Sequence, residues 1–549
     1  MTKMNLLVIK KVLNKYYFLI LTFLIIYFLY ALFYKLGYEY SQPTADLWVN
    51  RAYRFFVSFK GKDYSGTYVF YHPGVTISWL VGAVIYYFPK YMMHRYGYTL
   101  DPLNSKIFPE FNFLALIPIE VVIFLSVMFV YFLIYKYVNK WVSLLFLFFI
   151  STEPFFIGNA RSLHMDAFVA IFMFVSFISM LFFLYKNKLY LFIISCLFFA
   201  LSLLTRSNSF ILLPYIFLIL LYKSFLETKQ TKNIIYFFVF KAGAFLFISY
   251  VFVIIFWPTL WVDPIHPFIR MLQEGVFSTG LGDETSSRLI YFIDTSNNSL
   301  VTKLFHYPLQ FVYRVNSFLA LSFFYFLLIF LRPLSIKKIY IFVKQRKKVN
   351  LDTLMVLILG YIVFYTVVIS YPDKMIFRYM LPIIPFVVFF VSFSLYRYIS
   401  ATYFNIKKII IFVFFGFGTF ILSYIVYPNS LVYYNPFLGG IKGSSRMVNT
   451  DQAGAGLSKI AYELNKNTRA NDLSVAVYDA PVFKLYFYGK TKELKAYNPF
   501  TNIVDTDYVI LGVQNDTNYF NPINSKYILV KSYKYLGQNQ WYLYKNITN

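Results

Sequence analysis

The sequence is poor in cysteine, in charge and in acidic residues. A single cysteine, Cys196, stands among 549 residues, which excludes an intrachain disulfide and a metal site built from several thiolates. Charged residues make up 14% of the chain, whereas soluble domains carry about 25%. By contrast, 59% of the residues are hydrophobic and 23% are aromatic. This balance predicts a polytopic membrane protein.

The 24 acidic residues are outnumbered by 51 lysines and arginines, which gives a formal net charge of +27. The basic residues fall mostly in short clusters between apolar runs. That distribution is typical of cytoplasmic loops and not of a groove for nucleic acid, so we expect no nucleic-acid partner. The sequence also lacks a GxxxxGK[ST] phosphate loop, an HExxH zinc motif and a GxSxG nucleophile motif.

Apolar runs dominate the first 430 residues. Because a bilayer core needs about 20 apolar residues per helix, we predict a mainly α fold with about eleven transmembrane helices. The predicted spans are 17–36, 111–135, 142–158, 163–185, 189–205, 209–223, 234–257, 312–331, 352–371, 376–397 and 408–427. Basic residues before the first span and in the short loops predict a cytoplasmic N-terminus in the plasma (inner) membrane.

Two long segments, 37–110 and 258–309, then lie on the outer side. Within the first, the apolar stretch 75–89 ends at Pro89 and is short for a span, so we predict that it lies at the interface. After residue 430 the composition becomes polar and rich in glycine. A helix-like stretch, 457–464, and strand-like runs at 473–478, 508–512, 527–530 and 541–544 predict a small extracytoplasmic α/β domain over 431–549, following a transmembrane domain over 1–430.

Four groups of ionisable residues occur at the predicted outer ends of the spans. Charge near the membrane core is costly, and such residues are candidates for function. The groups are Asp46, Arg51, Arg54 and His72; Glu153, Arg161, His164 and Asp166; Arg206; and Asp373, Lys374 and Arg378.

In the first group, Asp46 close to cations would stay ionised and act as a base. The alternative is an exposed acid in an amphipathic interfacial loop. In the second group, Arg161 and His164 are three residues apart and would share a helical face. Asp166 is five residues from Arg161, so either Arg161 precedes the helix or Asp166 has a separate role. An ion pair within the membrane is the alternative for this group.

Arg206 is followed by two serines in the sequence TRSNS, a combination that suits phosphate binding. A capped turn between two spans is the alternative. Arg378 precedes an apolar run and would either neutralise a phosphate or anchor its helix at the interface.

Several short sequences occur in the order found in the GT-C membrane glycosyltransferases, and the chain resembles glycosyltransferase family 39. That family includes protein mannosyltransferases and, close by, aminoarabinose transferases. The matching pieces are TADLWVNRAYRF, YHPGVTISW, EPFFIGNARSLHMDAFVA, LLTRSNSFILLP, FRYMLPIIP and NPFLGG with AGAGLSKIAYELN.

The resemblance implies transfer of a sugar from a polyprenyl-phosphate donor to a protein, lipid or glycan hydroxyl, on the extracytoplasmic face and with inversion. It makes Asp46 the general base, although Leu47 stands where the family often has a second acid. It places Asp166 at the family's acidic position and Arg206 and Arg378 at positions that face the lipid phosphate. We expect no cofactor, and no metal is indicated.

Two other functions remain open from the sequence. A transporter or flippase for a lipid-linked sugar would have inverted repeats and charges at mid-membrane, whereas the ionisable residues here gather at one face. A non-catalytic scaffold that displays the C-terminal domain is compatible with the missing second acid.

Overall fold

The computed structural model describes residues 3–39, 45–228, 230–277, 300–331, 350–372, 375–400, 406–447, 454–494, 506–513 and 526–547. Helices account for most of them. The helices are α1 (Lys3–Phe33), α2 (Ala45–Lys60), α3 (Val75–Tyr96), α4 (Phe108–Tyr137), α5 (Lys140–Ser151), α6 (Pro154–Ala160), α7 (Asp166–Lys186), α8 (Leu189–Thr205), α9 (Leu212–Glu227), α10 (Thr231–Phe256), α11 (Thr259–Val262), α12 (His266–Leu272), α13 (Leu300–Arg314), α14 (Ser317–Leu331), α15 (Leu351–Ile369), α16 (Ile384–Ser400), α17 (Ile406–Val426), α18 (Gly440–Met447), α19 (Leu457–Leu464) and α20 (Ala480–Phe483).

Seven of the described helical segments are long and apolar enough to cross a membrane, or up to nine if two bent pairs each count as one span. The bent pairs are α5 with α6, and α17 with Ser430–Leu438. Two shorter apolar helices, α8 and α14, fall at the remaining predicted spans. The prediction of a mainly α, polytopic membrane protein is therefore confirmed, and each predicted apolar run corresponds to a helix or a bent helix pair.

Helix α7 lies at the centre of the bundle. Its residues are buried on every side from Asp166 to Leu184. Most residues of Phe377–Ser400, a 3₁₀ turn (Phe377–Ile383) that continues into α16, are buried as well. Such helices are apolar on every face because both faces contact protein. The central position of these two segments matters because each carries an ionisable residue at its first turn.

Helices α2 and α3 form a hairpin on the outer part of the bundle. They approach closely at Gly82, where an added Cβ would lie 2.5 Å from the carbonyl oxygen of Ala52. The apolar stretch 75–89 is part of a longer helix, because α3 runs through Pro89 to Tyr96. Its interfacial position stays a prediction. Burial of Phe88 and Met92 on either side of the proline offsets the helical hydrogen bond that proline cannot donate.

All five described strands follow the last apolar helix and form one sheet. They are β1 (Ser474–Val477), β2 (Lys490–Glu493), β3 (Tyr508–Gly512), β4 (Tyr527–Tyr535) and β5 (Gln538–Asn546), in the order β2-β1-β3-β5-β4. Strands β2, β1 and β3 are parallel, whereas β5 is antiparallel to β3 and β4. The predicted small α/β unit after the spans is confirmed; the boundary at residue 430 stays a prediction.

Candidate active site

Three of the four predicted groups of ionisable residues meet at Asp166, the first residue of α7. Arg206 Nη1 donates to Asp166 Oδ1. Arg378 Nε lies 3.3 Å from Asp166 Oδ2, and His164 Nδ1 lies 2.9 Å from the same oxygen. The side chains of Asp166, His164 and Arg206 are buried, and that of Arg378 is nearly so. The structure thus joins residues from three separate stretches of sequence into one buried cluster.

Each of these side chains comes from a break in helical structure. Residues 161–165 separate α6 from α7, so Arg161 precedes helix α7, which was one of the two alternatives for this group. Arg161 and His164 therefore do not share a helical face, contrary to the expectation. Arg206 follows α8 in extended conformation, and Arg378 lies in the 3₁₀ turn before α16. Asp166 also occupies the first turn of α7, where the helix dipole favours a negative charge.

Among the described side chains, the cluster brings two cations to one acid. Two guanidinium groups face one carboxylate. Burial lowers the pKa of His164 to about 4, so the imidazole is neutral at pH 7 and adds no charge. Guanidinium groups bind phosphate and carboxylate oxygens through several donors at once. The arrangement is therefore suited to hold an anion beside the two arginines.

Tyrosines form one wall of this cluster. The guanidinium of Arg206 lies 4.7 Å from the ring centroid of Tyr379, and the Tyr365 hydroxyl donates to the Tyr379 carbonyl over 3.1 Å. Arg206 Nε is buried and has no hydrogen-bond partner within the part of the chain that the structure describes. Sequence reasoning missed Tyr365. The available signal is its spacing of four residues from Tyr361 in an apolar helix, because that spacing puts two hydroxyl-bearing rings on one face.

The predicted first group packs beside the cluster. His72 Nδ1 lies 2.9 Å from Ser207 Oγ, next in sequence to Arg206. The turn that carries His72 is fixed by Gly74, whose amide donates to the Thr205 carbonyl over 3.2 Å. Gly74 has φ +56°, and an added Cβ would lie 2.4 Å from the ring of Trp48, so only glycine fits there.

Helix α2 contacts the cluster through Trp48, whose ring stands edge-on to the His164 ring at 6.2 Å. Arg51 stacks on Phe70 and Trp48, with its guanidinium carbon 3.6 Å and 4.9 Å from the two ring centroids. The backbone of Asp46 belongs to the first turn of α2, two residues before Trp48. The Asp46 side chain lies outside the described residues, so its role as a base stays a prediction.

Arg161 is placed apart from Asp166, although it was predicted to bind substrate with it. It donates to the carbonyls of Ala31, Leu32 and Tyr34 at 2.9–3.1 Å, and to the Tyr427 hydroxyl at 3.2 Å. These carbonyls belong to the C-terminal end of α1, which a cation stabilises. The contacts of Arg161 are those of a helix cap.

A second arginine of this kind, Arg314, was not singled out in the sequence. It is fully buried at the end of α13 and donates to the carbonyls of Leu431 and Tyr433 at 3.0 and 3.3 Å. Its guanidinium carbon lies 4.2 Å from the ring centroid of Phe377, the neighbour of Arg378. Arg314 therefore supports the turn that presents Arg378.

No group of three or more His, Cys, Asp or Glu side chains is arranged to hold a metal ion among the residues in the described ranges. The expectation of a reaction without metal or cofactor stays a prediction.

One family model matches part of the chain. Residues 102–257 match the family model for dolichyl-phosphate-mannose-protein mannosyltransferases. The matched segment covers less than half of the 549 residues and contains Arg161, His164, Asp166 and Arg206. No curated protein matches the chain.

Two solved structures show a distant likeness. ArnT from Cupriavidus metallidurans, bound to undecaprenyl phosphate, is 9% identical with a TM-score of 0.45, over 95% of this chain and 97% of that one. The archaeal oligosaccharyltransferase AglB from Archaeoglobus fulgidus, in complex with an inhibitory peptide and a dolichol-phosphate, is 10% identical with a TM-score of 0.43, over 92% and 70%. The match of the family model, over the segment that carries His164, Asp166 and Arg206, confirms the predicted resemblance to the GT-C glycosyltransferases and the predicted enzyme class, a glycosyltransferase of the membrane.

Proposed function

We propose that the chain transfers a sugar from a polyprenyl-phosphate donor to an acceptor hydroxyl, and that Arg206 and Arg378 bind the donor's phosphate. The observation that supports this proposal is the convergence of two guanidinium groups on Asp166, with Arg206 Nε buried and without a hydrogen-bond partner among the described residues. A phosphate mono- or diester would accept the hydrogen bond that Arg206 Nε does not make there.

The position of the cluster suits a lipid-linked donor. Asp166, Arg206 and Arg378 all stand at the ends of apolar segments, so a phosphate held there leaves the polyprenyl tail among the helices. Departure of the sugar from the lipid phosphate leaves negative charge on the phosphate oxygens. Preorganised guanidinium groups stabilise that charge in the transition state, which is worth about 10²–10³ in rate for one lost donor at comparable sites.

Asp166 is poorly placed to act as the general base. One of its oxygens accepts from Arg206 and the other faces Arg378 and His164, so the carboxylate serves to orient the cations. We therefore assign proton abstraction from the acceptor hydroxyl to Asp46, as the family resemblance implies. Its neighbour in α2, Trp48, packs on His164, which brings the start of this helix to the cluster. Direct displacement by the hydroxyl would invert the anomeric centre.

The basic clusters of the short loops favour an extracytoplasmic reaction, with the N-terminus in the cytoplasm of a plasma-membrane protein. The acceptor is a protein, lipid or glycan hydroxyl. We propose that no nucleotide is needed, because the sugar arrives already activated on its lipid.

The test is sugar transfer in proteoliposomes, with a panel of polyprenyl-phosphate sugars and with Asp46→Asn beside the parent protein. The proposal predicts transfer by the parent and its loss in Asp46→Asn, with donor affinity and thermal stability retained. Equal transfer by both would show that the base lies elsewhere. If donor lipid crosses the bilayer and no sugar is transferred from any donor, the protein is a flippase and not a glycosyltransferase.

A further inference from the structure

A cavity of 830 Å³ lies between the end of α1, the turn after α17 and the C-terminal sheet domain. It contains none of the residues of the Asp166 cluster. Its lining includes Lys35, Glu39, Lys459, Tyr462 and Tyr535. Its size falls within the range of about 300–1,000 Å³ that is typical of small-molecule sites.

The walls of this cavity are fixed by contacts between the two parts of the chain. The Tyr486 hydroxyl donates to the Gly37 carbonyl over 2.9 Å, which ties the C-terminal domain to the loop after α1. Gly37 has φ +87°, and an added Cβ would lie 2.4 Å from the Pro109 carbonyl oxygen. Across the cavity, Asn429 Nδ2 donates to the Tyr535 hydroxyl over 3.0 Å. The cavity is therefore bounded by hydrogen bonds that join the two parts of the chain.

Two buried polar atoms in the cavity have no hydrogen-bond partner among the described residues. They are Glu39 Oε1 and the Tyr462 hydroxyl. The two groups lie close enough to interact electrostatically. Leaving a buried polar group unsatisfied costs about 1–3 kcal/mol, and native structures do so rarely. A ligand with hydroxyl groups would satisfy both atoms.

The cavity is also basic. Besides Lys35 and Lys459, it is lined by Lys466 and Lys534, against two carboxylates. One of these, Glu463, already pairs with Lys531 and accepts from the Tyr533 hydroxyl. Burial raises the pKa of the other, Glu39, to about 8, so that it is largely neutral at pH 7. The remaining lysine charge favours an anionic ligand.

Tyrosine rings give the cavity flat apolar surface in addition to its polar and charged groups. The rings of Tyr38 and Tyr462 lie 6.2 Å apart, and Lys459 Nζ lies 5.8 Å from the ring centroid of Tyr535. Tyrosines offer an apolar face with a polar tip, which matches a sugar ring and its hydroxyl groups. From the unsatisfied polar atoms, the lysines and the tyrosines together, we propose that this cavity is a binding site for an anionic saccharide, distinct from the Asp166 cluster.

The proposal goes beyond the transfer reaction and does not depend on it, because binding is measured without turnover. The full-length protein in detergent is titrated by calorimetry with two anionic probes, trigalacturonic acid and trehalose 6-phosphate, and with neutral maltotriose. We expect at least one anionic probe to bind about tenfold or more tighter than maltotriose, a difference of about 1.4 kcal/mol.

Two variants and one control locate the site. Lys459→Met removes an exposed charge, and Tyr462→Phe removes only the unpartnered hydroxyl; each is expected to weaken binding of the anionic probe about tenfold. Lys484→Met, an exposed lysine of the same domain outside the cavity, is the matched control and is expected to bind as the parent does.

The proposal is overturned if neither anionic probe binds more tightly than maltotriose, or if Lys459→Met and Tyr462→Phe bind the probe as the control does. A lipid arm uses nanodiscs of phosphatidylcholine with and without phosphatidylglycerol. Binding of phosphatidylglycerol that is lost in Lys459→Met, with no binding of either saccharide, would make the cavity a lipid-headgroup site and would also overturn the proposal.

Discussion

Arg161 and Arg206 are both buried arginines at the same end of the bundle, yet their surroundings differ. Arg161 donates to three main-chain carbonyls at the end of α1 and to the Tyr427 hydroxyl. Arg206 pairs with a carboxylate that Arg378 shares, and its Nε lacks a partner within the described structure. The first contacts the negative end of a helix. The second shares its carboxylate with another arginine and keeps one unpartnered donor among the described residues.

The difference teaches that a buried arginine near the membrane is a functional candidate only once its partners are known. Backbone carbonyls satisfy the guanidinium permanently and leave no place for a ligand. A shared aspartate holds two guanidinium groups in position and leaves Arg206 Nε without a partner among the described residues. The predictions below separate these two kinds of arginine.

The largest effect is expected for Asp166→Asn. This change leaves Arg206 and Arg378 buried without their common counter-charge, which at comparable sites costs about 3–5 kcal/mol. We expect a clear fall in Tm in detergent and loss of sugar transfer. A variant with the Tm of the parent would show that the two arginines are not held by Asp166.

Arg206→Lys should lower kcat/KM for transfer about 100-fold, because an ammonium cannot reach Asp166 and a phosphate with the geometry of the guanidinium fork. The Tm should change much less than in Asp166→Asn, since a positive charge remains. Arg161→Lys serves as the control, with transfer expected near that of the parent. Equal losses in both variants would remove the distinction between the two arginines.

Arg161→Met should lower the stability of the protein and leave donor binding unchanged. Loss of hydrogen bonds from a charged group to the end of α1 costs about 1.5–3 kcal/mol, which thermal unfolding detects as a lower Tm. The Kd for a polyprenyl-phosphate donor should be unchanged in the folded fraction. Weaker donor binding at full stability would place Arg161 in the substrate site.

A smaller effect concerns Glu39, which lies near Arg161 and whose pKa is raised by burial to about 8 from an ordinary 4.5. Because the folded pKa is the higher one, the protonated carboxyl favours folding below pH 4.5, and this contribution is lost as pH rises through 8. Glu39→Gln should therefore gain stability relative to the parent between pH 5 and pH 9. The measurement is the Tm of both proteins across that range, and parallel curves would contradict the shift.

Much of the fold followed from hydrophobic runs. Each predicted span coincides with an apolar helix or a bent pair, and α19 and β3 have the predicted bounds. Strand β2, with the sequence KTKE, was missed because it is an edge strand with mostly exposed side chains and no apolar alternation. The extension of α3 beyond Pro89 was missed because tertiary packing overrides the local effect of a proline.

The site was only partly predictable. The sequence singled out four ionisable residues at the ends of spans: His164, Asp166, Arg206 and Arg378. Their meeting at one carboxylate depends on the packing of α7, α8 and the turn before α16, which the sequence does not show. Arg161 occurs in the same stretch as Asp166, and nothing in its sequence neighbourhood shows that its side chain caps α1. The partner of a long side chain depends on tertiary contacts that local spacing does not contain.

The most direct test of the account is the Kd of a polyprenyl monophosphate, with polyprenol as the uncharged control ligand, for the parent, Arg378→Gln and Arg161→Gln. We predict that Arg378→Gln weakens binding of the phosphate about 10-fold or more, corresponding to at least about 1.4 kcal/mol, while Arg161→Gln binds as the parent does. Equal affinity of all three proteins for the phosphate, or equal affinity of the parent for phosphate and alcohol, would contradict the assignment of Arg206 and Arg378 as the phosphate site.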